Sequence, residues 1–181
     1  MLDPFYLECG DLLVHPFRPE DFEVYDEWVS AVFDLFSDNE MLLFIPEKRI
    51  ANKAEAETWL KLTLLNFHSG QNYVYFITDR ENSKLLGVID ILTPAKVRQF
   101  YQLQQYPHFV EFYLRKQSTG QSIMTTLLPM LIGQLRKQGI NTLAAVANRN
   151  NIAAKKVLRK SGFKIREAFD HNQDLYEINA A

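Results

Sequence analysis

The largely apolar run LLVHPF, residues 12–17, reads as a strand. Pro19, Glu20 and Asp21 then open a helix to about Phe36, with Phe22, Tyr25, Val29 and Val32 near one face. A second helix is predicted over residues 53–67. Asn52 is placed to cap it, Glu55 stands at capping-box distance, and Ser69 and Gly70 end it. Residues 73–78 and 84–92 read as two strands of a hairpin, joined by the polar turn 79–83. The stretch 93–108, bracketed by Pro94 and Pro107 and rich in Gln and Tyr, reads as a helical or irregular insertion. A strand follows over 109–114. A long helix is predicted from about Gly120 to Gln138, with Ile123, Leu127, Leu131 and Leu135 at i, i+4 spacing. Pro129 falls inside that helix and is expected to kink it or remove one hydrogen bond, and Gly139 suits its C′ position. A strand at 142–147, a helix at 150–160 and strands at 163–168 and 175–178 complete the chain.

This order, βααββ(insert)βαβαββ, predicts an α/β domain with a mixed sheet. The strands at 109–114 and 142–147 flank a helix and are expected to be parallel. No repeat, low-complexity tract or linker divides the sequence, so residues 1–181 are expected to form one domain, with the insertion at about 93–108.

The composition adds exclusions. Apolar residues make up 47% and charged residues 23%, and the formal net charge of -2 argues against a nucleic-acid-coating protein. Cys9, the only cysteine, cannot form an internal disulfide and points to a reducing compartment. The opening MLDPFYLECGD lacks the basic and apolar regions of a signal peptide. No apolar run reaches the ~20 residues of a membrane span, so a cytoplasmic protein without a membrane partner is expected. His15, His68, His108 and His171 share no metal-ligand spacing, and no metal site is expected.

Two segments carry chemistry. In VEFYLRKQSTGQSIMTTLLPML, residues 110–131, a strand ends in a polar loop with Gly120 and Ser122 and opens a long helix. Helix N-termini leave N–H groups unpaired and favour an anion such as a phosphate. In ANRNNIAAKKVLRKSGFKI, residues 147–165, a strand gives way to a short helix. Asn150 or Asn151 is its N-cap and Gly162 its C-cap residue.

In order and separation, the two segments resemble the GNAT superfamily, and particularly its ribosomal-protein N-terminal acetyltransferase branch. EFYL (111–114) matches that branch's strand of the type GYWL. TGQSIMT (119–125) stands where it has QGQGI or QGKGIMT, and Asn151 followed by Gly162-Phe163 matches its later signature. Upstream, LLVHPFRPEDFEVY resembles the opening strand and helix, and KLLGVIDI the third strand, so the resemblance spans nearly the whole chain. It implies a mixed sheet of about six to seven strands, splayed between the fourth (109–114) and fifth (142–147) and flanked by about four helices. It also implies acetyl-CoA as co-substrate. Thr119, Gly120, Gln121, Ser122, Ile123 and Met124 would face the pyrophosphate, Phe112 and Leu114 would pair with the pantetheine arm, and Asn151 would hydrogen-bond that arm.

The sequence departs from the family at chemical positions. The family's loop pattern is Gln or Arg, two residues, Gly, one residue, then Gly or Ala. The register fixed by EFYL and IMT puts Thr119 at its start, Ser122 at its glycine and Met124 at its end. A register shifted by two uses Gln117, Gly120 and Ser122; the first is preferred. The Tyr that protonates the leaving thiolate in many members is Leu158 here, and the Ser of the ribosomal branch is Ala154.

Direct attack of an amine on the thioester needs positioning, a base and an oxyanion donor. A backbone N–H near Phe112 or Tyr113 could serve the oxyanion. Glu111, a carboxylate in an apolar strand, is the leading base candidate, Tyr113 a candidate acid, and Tyr176 a weaker one. Phe100, Tyr101, Tyr106 and Phe109 are expected to pack around the insertion, which could cover the acceptor. The basic run Lys155, Lys156, Arg159, Lys160 and Lys164 reads as a solvated helix face.

Two readings stay open. One is an N-acetyltransferase, monomeric or homodimeric, acting on a protein N-terminus or a small amine. The other is a degenerate GNAT domain that binds CoA or a protein without turnover.

Overall fold

A computed structural model describes residues 1–179, which cluster into two compact units. The first comprises Met1, residues 3–90 and residues 112–119. The second comprises Leu2, residues 91–111 and the residues from 120 onward.

The first unit starts with β1 (Leu7–Cys9) and β2 (Leu12–His15), an antiparallel hairpin with Leu7 opposite Val14. Three residues carry too little alternation to predict β1. The dipeptide Gly10-Asp11 is its signal, since Gly10 takes the positive φ, +56°, that a two-residue turn needs. β3 (Asn72–Asp79) pairs antiparallel with β2 and is buried over residues 72–78. A 3-10 segment, Pro19–Val24, leads into α1 (Tyr25–Ser37). α2 (Lys53–Ser69) is capped as predicted: Asn52 Oδ1 accepts from Glu55 N at 3.0 Å, and the left-handed Gly70 ends it. The Glu55 carboxylate reaches back one residue further than predicted, to Ala51 N at 2.8 Å. Trp28, Val32, Leu35 and Phe36 of α1 pack with Leu60, Val74, Phe76, Val88 and Tyr113 into one core.

β4 (Leu85–Leu92) and β5 (His108–Leu114) each run from one unit into the other. The second unit adds α3 (Pro94–Phe100), α4 (Ile123–Lys137), β6 (Thr142–Asn148), α5 (Ile152–Lys160), β7 (Lys164–Ala168) and β8 (Gln173–Asn179). α3 lies in the expected insertion, with Thr93 as N-cap and Pro94 in its first turn. α4 starts at Ile123 rather than Gly120 because Gly120 and Ser122 take φ of +77° and +62°, outside the helical region. Pro129 is inside α4, and Gly139, φ +83°, follows its C-cap Gln138. Leu92, Val97, Phe109, Ala144 and Leu175 form this unit's core.

The hydrogen-bonded strand order is β1-β2-β3-β4-β5-β6-β8-β7. β5 and β6 are parallel, while β6–β8 and β7–β8 are antiparallel, so the sheet is mixed as predicted. Among the described residues the sheet has eight strands, against the expected six to seven, because of β1, and the fifth α-helix is α3. No helix among the described residues is long and apolar enough to cross a membrane.

Candidate active site

The predicted catalytic strand is β5. Glu111 and Phe112 are half-buried, Tyr113 is buried, and Leu114 is half-buried. The Tyr113 ring stands edge-on to Phe36 at 5.4 Å, with Lys48 Nζ 5.7 Å from its centroid. Packing therefore holds this ring. The parallel register of β5 with β6 consists of His108↔Leu143 and Phe109↔Ala144, at the start of both strands. Past its end, Arg115 N donates to Leu86 O at 2.9 Å. The Arg115 guanidinium donates to Ala31 O at 3.0 Å and lies 3.6 Å from Asp34, while Lys116 Nζ pairs with Glu40. These contacts fasten the root of the following loop to α1 and the segment after it.

That loop makes a 3-10 turn, Lys116–Ser118, and the Thr119 hydroxyl donates to Lys116 O at 2.6 Å. Gly120 is exposed, and a Cβ added there would meet nothing within 4 Å. Gln121 and Ser122 are exposed; Ile123 and Met124 are buried. Ser122 is the N-cap of α4, yet its side chain makes no capping hydrogen bond, and the backbone ladder begins with Thr126 N donating to Ser122 O at 3.0 Å. The first-turn amides of a 15-residue helix thus follow a small, left-handed, exposed turn, a donor set suited to an anion.

At the end of β6, Asn148 Oδ1 accepts from Asn150 N at 2.9 Å, and Asn151 is the N-cap of α5, its Oδ1 accepting from Ala154 N at 3.0 Å. Arg149 donates to Asp174 Oδ1 at 2.8 Å, His171 O at 2.7 Å and Asp170 O at 3.1 Å, and Lys155 Nζ donates to Arg149 O at 2.8 Å. The β7–β8 turn is thereby clamped to this junction. Leu158 is buried and Ala154 half-buried in α5. Tyr176 is fully buried. Burial raises the pKa of its hydroxyl, and the charge of Arg159 opposes that rise.

The sequence profile of the acetyltransferase (GNAT) domain matches residues 11–164. The chain belongs to the GNAT acetyltransferase family. No curated protein sequence matches it. Among solved structures it is similar to RimL, the ribosomal L7/L12 alpha-N-protein acetyltransferase, in complex with coenzyme A, at 16% identity and a TM-score of 0.73 over 97% of this chain and 98% of that one. It is similar to the ribosomal-protein-S5-alanine acetyltransferase of Vibrio fischeri, at 17% identity and 0.70 over 97% of each chain. It also resembles the microcin C7 self-immunity acetyltransferase MccE, solved with acetyl-CoA and AMP, at 12% identity and 0.69 over 94% of this chain and 93% of that one. At these identities the likeness is one of fold.

Set in the GNAT fold, the predicted residues fall in both units. Phe112, Tyr113, Leu114 and Thr119 belong to the first; Glu111, Gly120, Gln121, Ser122, Ile123, Met124 and Asn151 belong to the second. Ser122, which the preferred register matches to the family's glycine, takes a left-handed φ of +62°, a conformation glycine adopts without strain. The aromatic cluster forms only in part. Tyr101 stacks on Phe109 at 5.6 Å and meets Phe169 edge-on at 5.1 Å, and Tyr106 packs against the same core, but Phe100 is 64% exposed, under Lys96.

Sequence reasoning missed Arg149, the anchors Arg115 and Lys116, and Gly87, where an added Cβ would meet the Tyr113 carbonyl oxygen. Only Gly87 left a signal, a glycine inside an apolar strand, which marks a bulge or a close backbone approach.

Proposed function

We propose that this GNAT protein, acting as one domain, transfers an acetyl group from acetyl-CoA to a primary amine, on a protein N-terminus or a small molecule, by direct attack. The observation that carries this reading is the exposed turn Gly120–Ser122, left-handed at both ends and opening α4 without a side-chain cap. Bound acetyl-CoA supplies an activated acetyl thioester; the chain supplies the rest. Amides of Gly120, Gln121, Ser122, Ile123 and Met124 hold the pyrophosphate, with Thr119 at the loop's start. The Phe112 and Leu114 backbone pairs with the pantetheine arm, and the Asn151 Nδ2 amide donates to it. Glu111 accepts the proton of the attacking amine as the C–N bond forms, the C–S bond breaks and coenzyme A leaves as its thiolate; Tyr113 serves chiefly to pack β5. The insertion with α3 borders the acceptor. The net charge of -2 supports an acceptor other than nucleic acid, and the lone cysteine supports a cytoplasmic setting; the protein acts as a monomer or homodimer.

The test is thiol release from acetyl-CoA in the presence of N-terminal peptides and small amines. Turnover that falls roughly 10²–10⁴-fold in Glu111→Gln, with acetyl-CoA binding kept, supports the assignment. The apolar side chains of Leu158 and Ala154, at two proton-donor positions of relatives, favour the second reading, a CoA-binding module. Binding without turnover on any amine selects it.

A further inference from the structure

Gly87 lies buried in β4, and it is not among the glycines with positive φ, so it is not needed for a left-handed backbone. Glycine in a strand interior weakens the strand, having no side chain to pack. Space explains it. A Cβ added at Gly87 would overlap the backbone carbonyl oxygen of Tyr113. It would also lie 2.6 Å from Leu114 Cδ2 and 3.3 Å from Leu114 Cα. Of the chain's seven glycines, it is the one whose added Cβ meets backbone; Gly10, Gly120, Gly133 and Gly139 face open space. One residue away, Arg115 N donates to Leu86 O at 2.9 Å, and the Arg115 side chain is held by Ala31 O. The end of β5 is therefore drawn onto β4 at one point, between a missing side chain and an anchored arginine.

We propose that Gly87 is a positioning residue for the acetyl-CoA site. Its bare Cα lets the Tyr113 carbonyl and Leu114 backbone settle against β4, which sets the direction of the backbone groups of residues 112–114 toward the pantetheine arm. The inference rests on the function proposed above. It differs from a plain packing role in a measurable way. A methyl at residue 87 pushes against a backbone carbonyl, which cannot rotate aside as a side chain can. The strand end must shift, while the turn at Gly120–Ser122 and the first turn of α4 lie outside the clash.

Two probes separate these effects: coenzyme A, which carries the arm, and 3′-phospho-ADP, its nucleotide end without the arm. Calorimetric titrations are made on the full chain, on Gly87→Ala, and on Gly133→Ala as a control glycine with open space. The expected result is coenzyme A binding weakened roughly tenfold or more in Gly87→Ala, with 3′-phospho-ADP binding unchanged and Gly133→Ala like the parent on both probes. Equal coenzyme A affinity in parent and Gly87→Ala overturns the inference and leaves the acetyl-CoA reading standing. So does an equal loss on both probes, which marks general damage. No binding of coenzyme A by the parent overturns both. If Gly87→Ala does not fold, Gly87→Ala/Leu114→Ala removes the side-chain overlap, keeps the carbonyl overlap, and is held to the same outcomes.

Discussion

The side-chain oxygen of Asn151 accepts a hydrogen bond from the backbone N–H of Ala154 at 3.0 Å. The residue expected to grip the pantetheine arm is thus also the cap of α5. Its two side-chain ends have separate tasks: the oxygen closes the helix, and the Nδ2 amide is left to donate. Asn151→Asp keeps the cap and loses the donor. Its thermal midpoint should match the parent's, while acetyl-CoA binding weakens about tenfold, the loss of roughly one hydrogen bond. Asn151→Ala loses both and should also be less stable by about 1 kcal/mol. Parallel melting and titration curves separate the two effects.

Ser122 holds φ of +62°, a conformation that costs a residue with a Cβ about 1 kcal/mol relative to glycine. Ser122→Gly should therefore raise stability by about that amount and tighten acetyl-CoA binding by restoring the bare backbone of relatives. Gly120→Val should do the reverse. Its strain comes from φ of +77° and not from crowding, since the site is open. Denaturant titration and calorimetry on the two variants check both directions.

Arg149 fastens the β7–β8 turn through one carboxylate and three backbone carbonyls, and it is partly exposed. Arg149→Met should cost on the order of 1–2 kcal/mol and speed hydrogen exchange over residues 169–173. Arg149→Lys should recover little, because one ammonium cannot span the four acceptors of a planar guanidinium.

His15 and His108 each have a pKa lowered from the usual 6.5, in both cases chiefly by burial. His15 is fully buried, its Nδ1 donating to Pro16 O at 2.8 Å and its Nε2 3.2 Å from the Thr78 hydroxyl. Arg18 nearby opposes its protonation, while Asp21 and Glu20 favour it. Below pH 6.5 the unfolded chain binds protons that the folded chain refuses, so stability is full above that pH and falls as pH drops through it. Melting midpoints from pH 7.5 to 5.5 should decline, and His15→Gln should flatten the decline. An unchanged slope in His15→Gln would move the effect to His108.

Much of the fold was legible because helix ends and strand alternation are local signals. Asn52 and Gly70 bound α2 as their types require, and Gly139 ends α4. The start of α4 was misplaced because Ser122 carries no outward sign of its left-handed backbone. The site was legible only as two motifs. Its supports are long-range contacts: Gly87 meets residues 113 and 114, and Arg149 reaches residues 170–174. No spacing rule encodes such pairings.

The most direct test of the account is calorimetric titration of the full chain with acetyl-CoA. Saturable binding that Gly120→Val weakens at least tenfold is the expected result. No heat of binding at millimolar acetyl-CoA would contradict it, leaving a GNAT fold whose Gly120–Ser122 turn and α4 amides serve some purpose other than holding a phosphate.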